Sequence, residues 1–184
     1  MLITTLLAAL STQLAQPEAV CVDLRGNQVV PLARKAPKAK ATVLIFYLAH
    51  CPISRKMTPE INRLYKEFSP KGVRFYMVHE DLTLSREEVA AEAKEFGLLP
   101  TVVIDKWRSQ VKYARAMQSP EAVVYDSALK LQYQGRISNL FYGLGKMRSA
   151  ATKRDLRDAL TAVVSSKAPA VARTEPVGCI LPKY

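Results

Sequence analysis

The sequence predicts an α/β protein, a mixed central sheet with helices on both faces. Three observations carry that expectation. Apolar, β-branched runs alternate with segments of helical periodicity along most of the chain. Residues 42–48, Thr-Val-Leu-Ile-Phe-Tyr-Leu, are almost wholly apolar, as a strand buried on both faces reads. Near the end a hairpin pattern is followed by one more helix instead of another crossover. With 184 residues, 49% hydrophobic and 23% charged, the chain has the size and composition of one globular domain.

The elements follow in order. Residues 20–32 read as two short strands around the turn Arg25-Gly26-Asn27, and 35–40 as a polar loop. After the 42–48 strand, Ile53, Met57, Ile61, Leu64, Tyr65 and Phe68 recur at spacings of three and four, which makes a helix from Pro52, with Pro59 expected to kink it. Residues 73–78 form a second buried strand. Ser85 and Glu88 make a capping box for a helix ending near Gly97. Residues 99–104 form a third strand, and 107–117 a short helical stretch. Residues 122–125 and 129–133, about Asp126-Ser127, form the hairpin, and Thr152 with Asp155 is expected to cap a last helix carrying Leu156, Leu160 and Val163. Gly143-Leu144-Gly145-Lys146 is too short and ill-placed for a phosphate loop.

The net charge is +11, from 27 Lys and Arg against 16 Asp and Glu. Such an excess suits weak attraction to anionic surfaces but carries no specificity, and no nucleic-acid motif accompanies it, so no nucleic-acid partner is expected. Arg34, Lys35, Lys38, Lys40, Arg55 and Lys56 lie close in sequence with no acid between them, which fits a solvated loop and helix face better than a binding face. Residues 1–15, MLITTLLAALSTQLA, have the length and apolarity of a bacterial-type signal peptide, although without Lys or Arg at the start. They are too short to span a bilayer, so no integral membrane span is expected. The organisation is then a leader at 1–15, a domain at 20–164 and a polar tail at 165–184 that ends around Val-Gly-Cys, with a periplasmic or secreted destination.

Three cysteines, Cys21, Cys51 and Cys179, are too few for a disulfide scaffold and too scattered for a zinc cluster. Cys51 falls where a buried strand ends and a helix begins. There a thiolate meets the unpaired N–H groups and positive dipole end of the helix, both of which lower its pKa. Pro52 suits the first helical turn, where its missing N–H is not needed. His50, Arg55 and Lys56 add positive or potentially positive charge. The alternative is a buried structural thiol in a fold that has lost its chemistry.

With these residues in place, the chain from about 22 to 164 resembles the thioredoxin superfamily. The likeness is to its redoxin branch, the alkyl hydroperoxide reductase/thiol-specific antioxidant and TlpA-like thiol–disulfide proteins. Cys51-Pro52-Ile53-Ser54 looks like the family's C-x-x-C motif with serine for the second cysteine, and Pro59 matches its helix-kinking proline. Ser119-Pro120 looks like the element whose cis proline packs beside the reactive sulfur. Leu99-Pro100-Thr101 is a rival, but Pro120 leads directly into the terminal hairpin. The resemblance implies a thioredoxin-like fold and a thiol–disulfide oxidoreductase with no cofactor. Cys51 would be nucleophile, Ser54 would stabilise its thiolate, and Pro52, Ser119 and Pro120 would position the substrate. Its partners would be protein or low-molecular-weight thiols and disulfides, together with an upstream electron donor.

Two departures refine this. Leu44 and Leu48 stand where the peroxidase branch places Pro and Thr or Ser, so peroxidase activity is not expected. Ser54 cannot resolve a mixed disulfide, so Cys51 needs another partner: glutathione, a client, or a distant cysteine. Cys179, in the tail segment 175–180 that is apolar around a glycine and could fold back over the sheet, is the candidate, with pairing to Cys21 or to nothing left open. Two other readings remain. One is a copper-binding, chaperone-like module using Cys51, Cys179 and either His50 or His79, and the other a catalytically degenerate domain.

Overall fold

The computed structural model describes residues 19–33, 39–48 and 50–181. The leader at 1–15 and Arg34, Lys35 and Lys38 of the basic stretch lie outside them. In chain order the elements are β1 (Cys21–Asp23), β2 (Gln28–Val29), β3 (Ala41–Phe46), α1 (Pro52–Phe68), β4 (Val73–His79), α2 (Arg86–Glu95), β5 (Thr101–Ile104) and α3 (Ser109–Ala114). They continue with β6 (Gln118–Ser119), β7 (Glu121–Asp126), β8 (Leu131–Gly135), β9 (Phe141–Gly143), β10 (Lys146–Met147), α4 (Asp155–Val164) and β11 (Cys179–Ile180). The main sheet has seven strands in the order β2-β1-β5-β4-β3-β7-β8.

All six residues of β3 are buried, as the 42–48 run requires of a central strand. It pairs in parallel with β4 and antiparallel with β7. Two crossovers stepping the same way along the sheet put α1 and α2 on one face, where α4 joins them over Val43, Ile45, Phe75 and Met77. The segment of α3 covers the other face, against Leu44, Phe46, Val78 and Val123. Apolar side chains at helical spacing explain α1: Ile53, Met57, Ile61, Leu64 and Phe68 are buried, and the helix runs unbroken through Pro59. The capping box of α2 forms, with Ser85 Oγ accepting from the Glu88 amide and Glu88 accepting from the Ser85 amide.

Because β3, β4 and β5 are parallel, the segment after Phe46, His79 and Ile104 share one edge of the sheet. Cys51 lies on that edge. Lys40 and Gly72 lie at the opposite one, joined by the Lys40 amide donating to Gly72 O at 2.9 Å. The described basic residues therefore form no single face. Six residues of strand, roughly 20 Å, separate Lys40 from Arg55 and Lys56.

Two findings depart from the expected elements. Thr152 does not cap α4, whose first residue is preceded by Arg154 with no side-chain cap. Asn139 organises this turn instead, its Oδ1 accepting from the amides of Thr152 and Lys153 at 2.9 Å each and its Nδ2 donating to Thr152 Oγ1 at 2.8 Å. The tail, moreover, is built into the fold. It runs along the outer edge of β8, with Gln134 N donating to Ala172 O and Thr174 N donating to Gln134 O. Tyr133 Oη donates to Arg136 O at 2.6 Å and lies 2.6 Å from Thr174 Oγ1. Gly135 has φ +149° and a Cβ there would collide with Thr174 O, so glycine is required for this approach.

Buried charge lies at the edge that carries Cys51. Glu80 is fully buried after β4, with Arg108 Nη2 2.9 Å away, and Asp105 accepts from the amides of Ser109, Gln110 and Val111. Burial pushes the Glu80 carboxyl up to about 7, helped by the charges of Asp105 and Asp81 and opposed by Arg108. An acid whose pKa is raised on folding binds its proton more tightly in the native state. Its contribution to stability is fully present below about 4.5 and is lost as pH rises through about 7.

Two stability measurements test this description. In urea unfolding, Asn139→Ala is expected to lose about 1–3 kcal/mol and Thr152→Ala clearly less, because Asn139 leaves two amides without an acceptor; the reverse order would contradict the assignment. The stability difference between wild type and Glu80→Gln is expected to shift in favour of the variant between pH 5 and pH 8. A difference that stays constant with pH would contradict a raised carboxyl.

Candidate functional site

Cys51 occupies the N-cap position of α1, with φ −79° and ψ 114°, and Pro52 begins the helix. The first turn contains no acid. The Cys51 amide donates to Leu48 O and its carbonyl accepts from the Arg55 amide, both at 3.1 Å, which fixes the sulfur at the helix start. The guanidinium of Arg55 stacks over the Phe96 ring at 4.4 Å. His50 is exposed and its Nδ1 lies 3.6 Å from Glu92 Oε1.

The Ser119–Pro120 peptide bond is cis, and Pro100 has no such bond. Ser119 is fully buried and touches Cys51, Ser54 and the tail at once. Its Oγ accepts from the Leu48 amide at 2.6 Å and lies 2.8 Å from Ser54 Oγ. Its carbonyl oxygen lies 3.2 Å from Cys51 Sγ. Its backbone pairs with the tail: β11 runs antiparallel to β6, with Cys179 opposite Ser119 and Ile180 opposite Gln118.

Cys179 is disulfide-bonded to Cys51, with Cα atoms 6.0 Å apart. Of the pairings the sequence left open, this is the one the structure contains, and Cys21 is the free thiol. Ser54 is fully buried, and the partner of its hydroxyl is Ser119. Cys51, Pro52, Ser54, Ser119, Pro120 and Cys179 thus come together at one sheet edge.

Three tail contacts have no counterpart in the expectations. Gly178 lies so close to Ser119 O that a Cβ would collide with it and with the Ser119 carbonyl carbon. Leu181 is buried in the core on the α3 face, its amide donating to Met117 O at 2.9 Å, whereas Val177 and Cys179 pack against the α1 face. Ile180 between them is 75% exposed. The available signal was the short apolar run Val177-Gly178-Cys179-Ile180-Leu181 closing a polar tail; that Ile180 faces solvent while Leu181 is buried is not readable from it.

The other titratable groups are placed differently. Cys21 is buried on the α3 face, and burial, with the charge of Asp105, pushes its thiol up to about 12. His79, buried at the end of β4, is held below the ordinary histidine range by burial. With Tyr47 and Glu92 it lines a small cavity under α2. Among the described residues no group of three or more His, Cys, Asp or Glu is arranged to hold a metal ion. Nor is any described helix long and apolar enough to cross a membrane.

Known proteins place this arrangement. Solved structures share the fold. One is an uncharacterized conserved protein from Geobacillus kaustophilus, 24% identical with a TM-score of 0.79, covering 92% of this chain and 90% of that one. A hypothetical protein from Sinorhizobium meliloti 1021 is 23% identical with a TM-score of 0.75, covering 88% of each chain. A secreted Mycobacterium tuberculosis disulfide oxidoreductase homologous to E. coli DsbE is 15% identical with a TM-score of 0.55, covering 81% of this chain and 96% of that one. Among curated proteins none matches. The AhpC/TSA family model matches residues 15–138, which takes in β1 through β8, Cys51 and the cis proline, and the chain belongs to the AhpC/TSA family, the redoxin branch of the thioredoxin superfamily.

Proposed function

We propose that the protein is an exported thiol–disulfide oxidoreductase in which Cys51 is the nucleophile and Cys179 its resolving partner. One observation carries the reading: Cys51 caps the helix at the edge next to Ser119–Pro120 and is already bonded to Cys179. The leader-like residues 1–15 support export, and the Mycobacterium tuberculosis relative is itself described as secreted.

In the reduced protein the Cys51 thiolate attacks one sulfur of a substrate disulfide. The Cys51–substrate bond forms, the substrate S–S bond breaks, and the second substrate sulfur leaves as a thiolate. The Cys179 thiolate then attacks Cys51 Sγ, closing the Cys51–Cys179 disulfide and releasing the first substrate sulfur as a thiolate. The substrate gains two electrons and the protein loses two; a dithiol donor returns them.

In that reverse step the donor thiolate meets a pair whose Cys51 is only 2% exposed and whose Cys179 is half-buried. Attack at the Cys179 sulfur makes Cys51 the leaving group. The α1 N–H groups stabilise the thiolate that departs, which favours that direction of cleavage. Ser54 cannot form a disulfide; it acts as a positioning residue, its hydroxyl holding Ser119 against Leu48 and α1. Pro52 follows Cys51 as the first residue of α1, and the cis bond to Pro120 follows Ser119, whose carbonyl oxygen lies beside the sulfur. Leu44 is fully buried within β3 and Leu48 carries no hydroxyl, so neither polarises a peroxide.

Turnover of a disulfide substrate with a dithiol donor is the test. Cys51→Ser is expected to abolish it, while Cys179→Ser should accumulate the Cys51–substrate disulfide and slow release at least tenfold. Alkylation of the reduced protein should show Cys51 labelling with a midpoint below the ordinary thiol value of about 8.5, with Cys21 unlabelled in the folded state. Full turnover by Cys51→Ser would overturn the reading.

A further inference from the structure

The tail does more at this site than supply a sulfur. It enters as an added strand, and its side chains are sorted by what the site tolerates at each position. At 178 the backbone of Ser119 leaves no room for a Cβ. At 179 the cysteine stands opposite Ser119 and reaches Cys51. At 180 the side chain points to solvent, 75% exposed. At 181 an apolar side chain fills a place in the core beside Cys21, Phe46 and Val123, with 3% exposure. The edge of β6 has no strand partner other than β11 among the described residues, so whatever displaces the tail meets the same unpaired backbone groups.

We infer that the tail is a built-in copy of the client. When the disulfide is reduced, the β6 edge takes an extended polypeptide of the pattern Gly-Cys-x-apolar, and the tail competes with it for the same strand position. This rests on the exchange reading above and adds what that reading lacks, a client sequence and a gate. The interaction is strand addition: backbone bonds give affinity, and the pocket for every second side chain gives selectivity. Position x is unselected because it faces water. A client with a bulky residue before its cysteine is excluded by the Ser119 carbonyl, which is backbone and cannot swing aside.

The gate follows from the length of the paired segment. β11 and β6 match over only two residues, so once the disulfide is reduced the tail keeps this edge through that short pairing, the Leu181 amide bond to Met117 O and the apolar seat of Leu181, contacts that a client of the same pattern offers in exchange. Reduction of Cys51–Cys179 therefore both generates the nucleophile and opens to exchange the edge where the client's cysteine must lie. Oxidation at the end of a cycle returns the tail to the edge and expels the client chain.

The experiment uses the full chain, reduced, and synthetic peptides whose single cysteine carries an aromatic thiol in disulfide linkage. Attack of Cys51 on the peptide sulfur forms the Cys51–peptide disulfide and expels the aromatic thiolate, whose absorbance is read. Cys179 then closes on Cys51 and the peptide leaves as a thiol. The parent peptide is Pro-Val-Gly-Cys-Ile-Leu. Replacing its glycine by valine, or its leucine by aspartate, is expected to lower the second-order rate constant at least tenfold, whereas replacing its isoleucine by lysine should leave it within about twofold. The symmetrical disulfide of the aromatic thiol is run beside the peptides. If it reacts and all four peptides react alike, the client pattern is wrong and the exchange reading stands. If nothing reacts, the exchange reading itself fails. Variation lies in the peptides, so no outcome depends on whether an altered protein folds.

Discussion

The buried hydroxyl of Ser119 is held between the Leu48 amide at 2.6 Å and the Ser54 hydroxyl at 2.8 Å. That pair of bonds ties three separate pieces of chain together: the exit from β3, the first turn of α1, and β6. The sulfur of Cys51, the cis proline and the tail are all positioned from this point, since the Ser119 carbonyl faces Cys51 Sγ and its backbone carries Cys179. Leaving a buried amide or hydroxyl without its partner costs about 1–3 kcal/mol, so the arrangement resists drift at the place where reactive geometry matters. Serine at position 54 gains a meaning here. Where a second motif cysteine would stand on the helix, this protein has a serine that braces Ser119, and the sulfur bonded to Cys51 comes from the tail.

That exchange of roles ties folding to chemistry. The tail runs along the edge of β8, closes over β6, and passes from the α1 face at Val177 and Cys179 to the α3 face at Leu181. A bond joining residues 128 apart also restricts the unfolded chain, by about 5 kcal/mol in the chain-entropy description. Each catalytic cycle would then alternate between a tightly strapped oxidised form and a reduced form with a looser tail and an open edge. In the proposed cycle the chemistry at Cys51 and the cover of the site would change in the same step, with no need for a separate lid.

Much of this was legible in the residues. The apolar run through Val43, Leu44, Ile45 and Phe46 can be buried on both faces only at the middle of a sheet, and it is the central strand. The apolar spacing from Ile53 to Phe68 and the Ser85–Glu88 box located two helices, and the Cys-Pro pair located the start of α1. What the chain did not announce depends on contacts between distant segments. Thr152 and Asp155 have the spacing of a cap, yet the side chain that satisfies this turn belongs to Asn139, thirteen residues upstream of Thr152. Residues 165–175 are largely polar and without helical or strand periodicity, which hides that Thr174 seals the edge of β8 through Tyr133 and Gly135. The Glu80–Arg108 pair is likewise a meeting of two loops, with no local signature in either.

The strapped tail and the proposed exchange chemistry both depend on the partner of Cys51. Peptide mass mapping of the full chain, alkylated without reduction and then digested, tests it most directly. The expected result is a linked pair of peptides containing Cys51 and Cys179, with Cys21 recovered as an alkylated thiol once the chain is unfolded. A Cys21–Cys51 or Cys21–Cys179 link, or three alkylated cysteines in protein prepared under air, would contradict the strapped tail and the mechanism built on it.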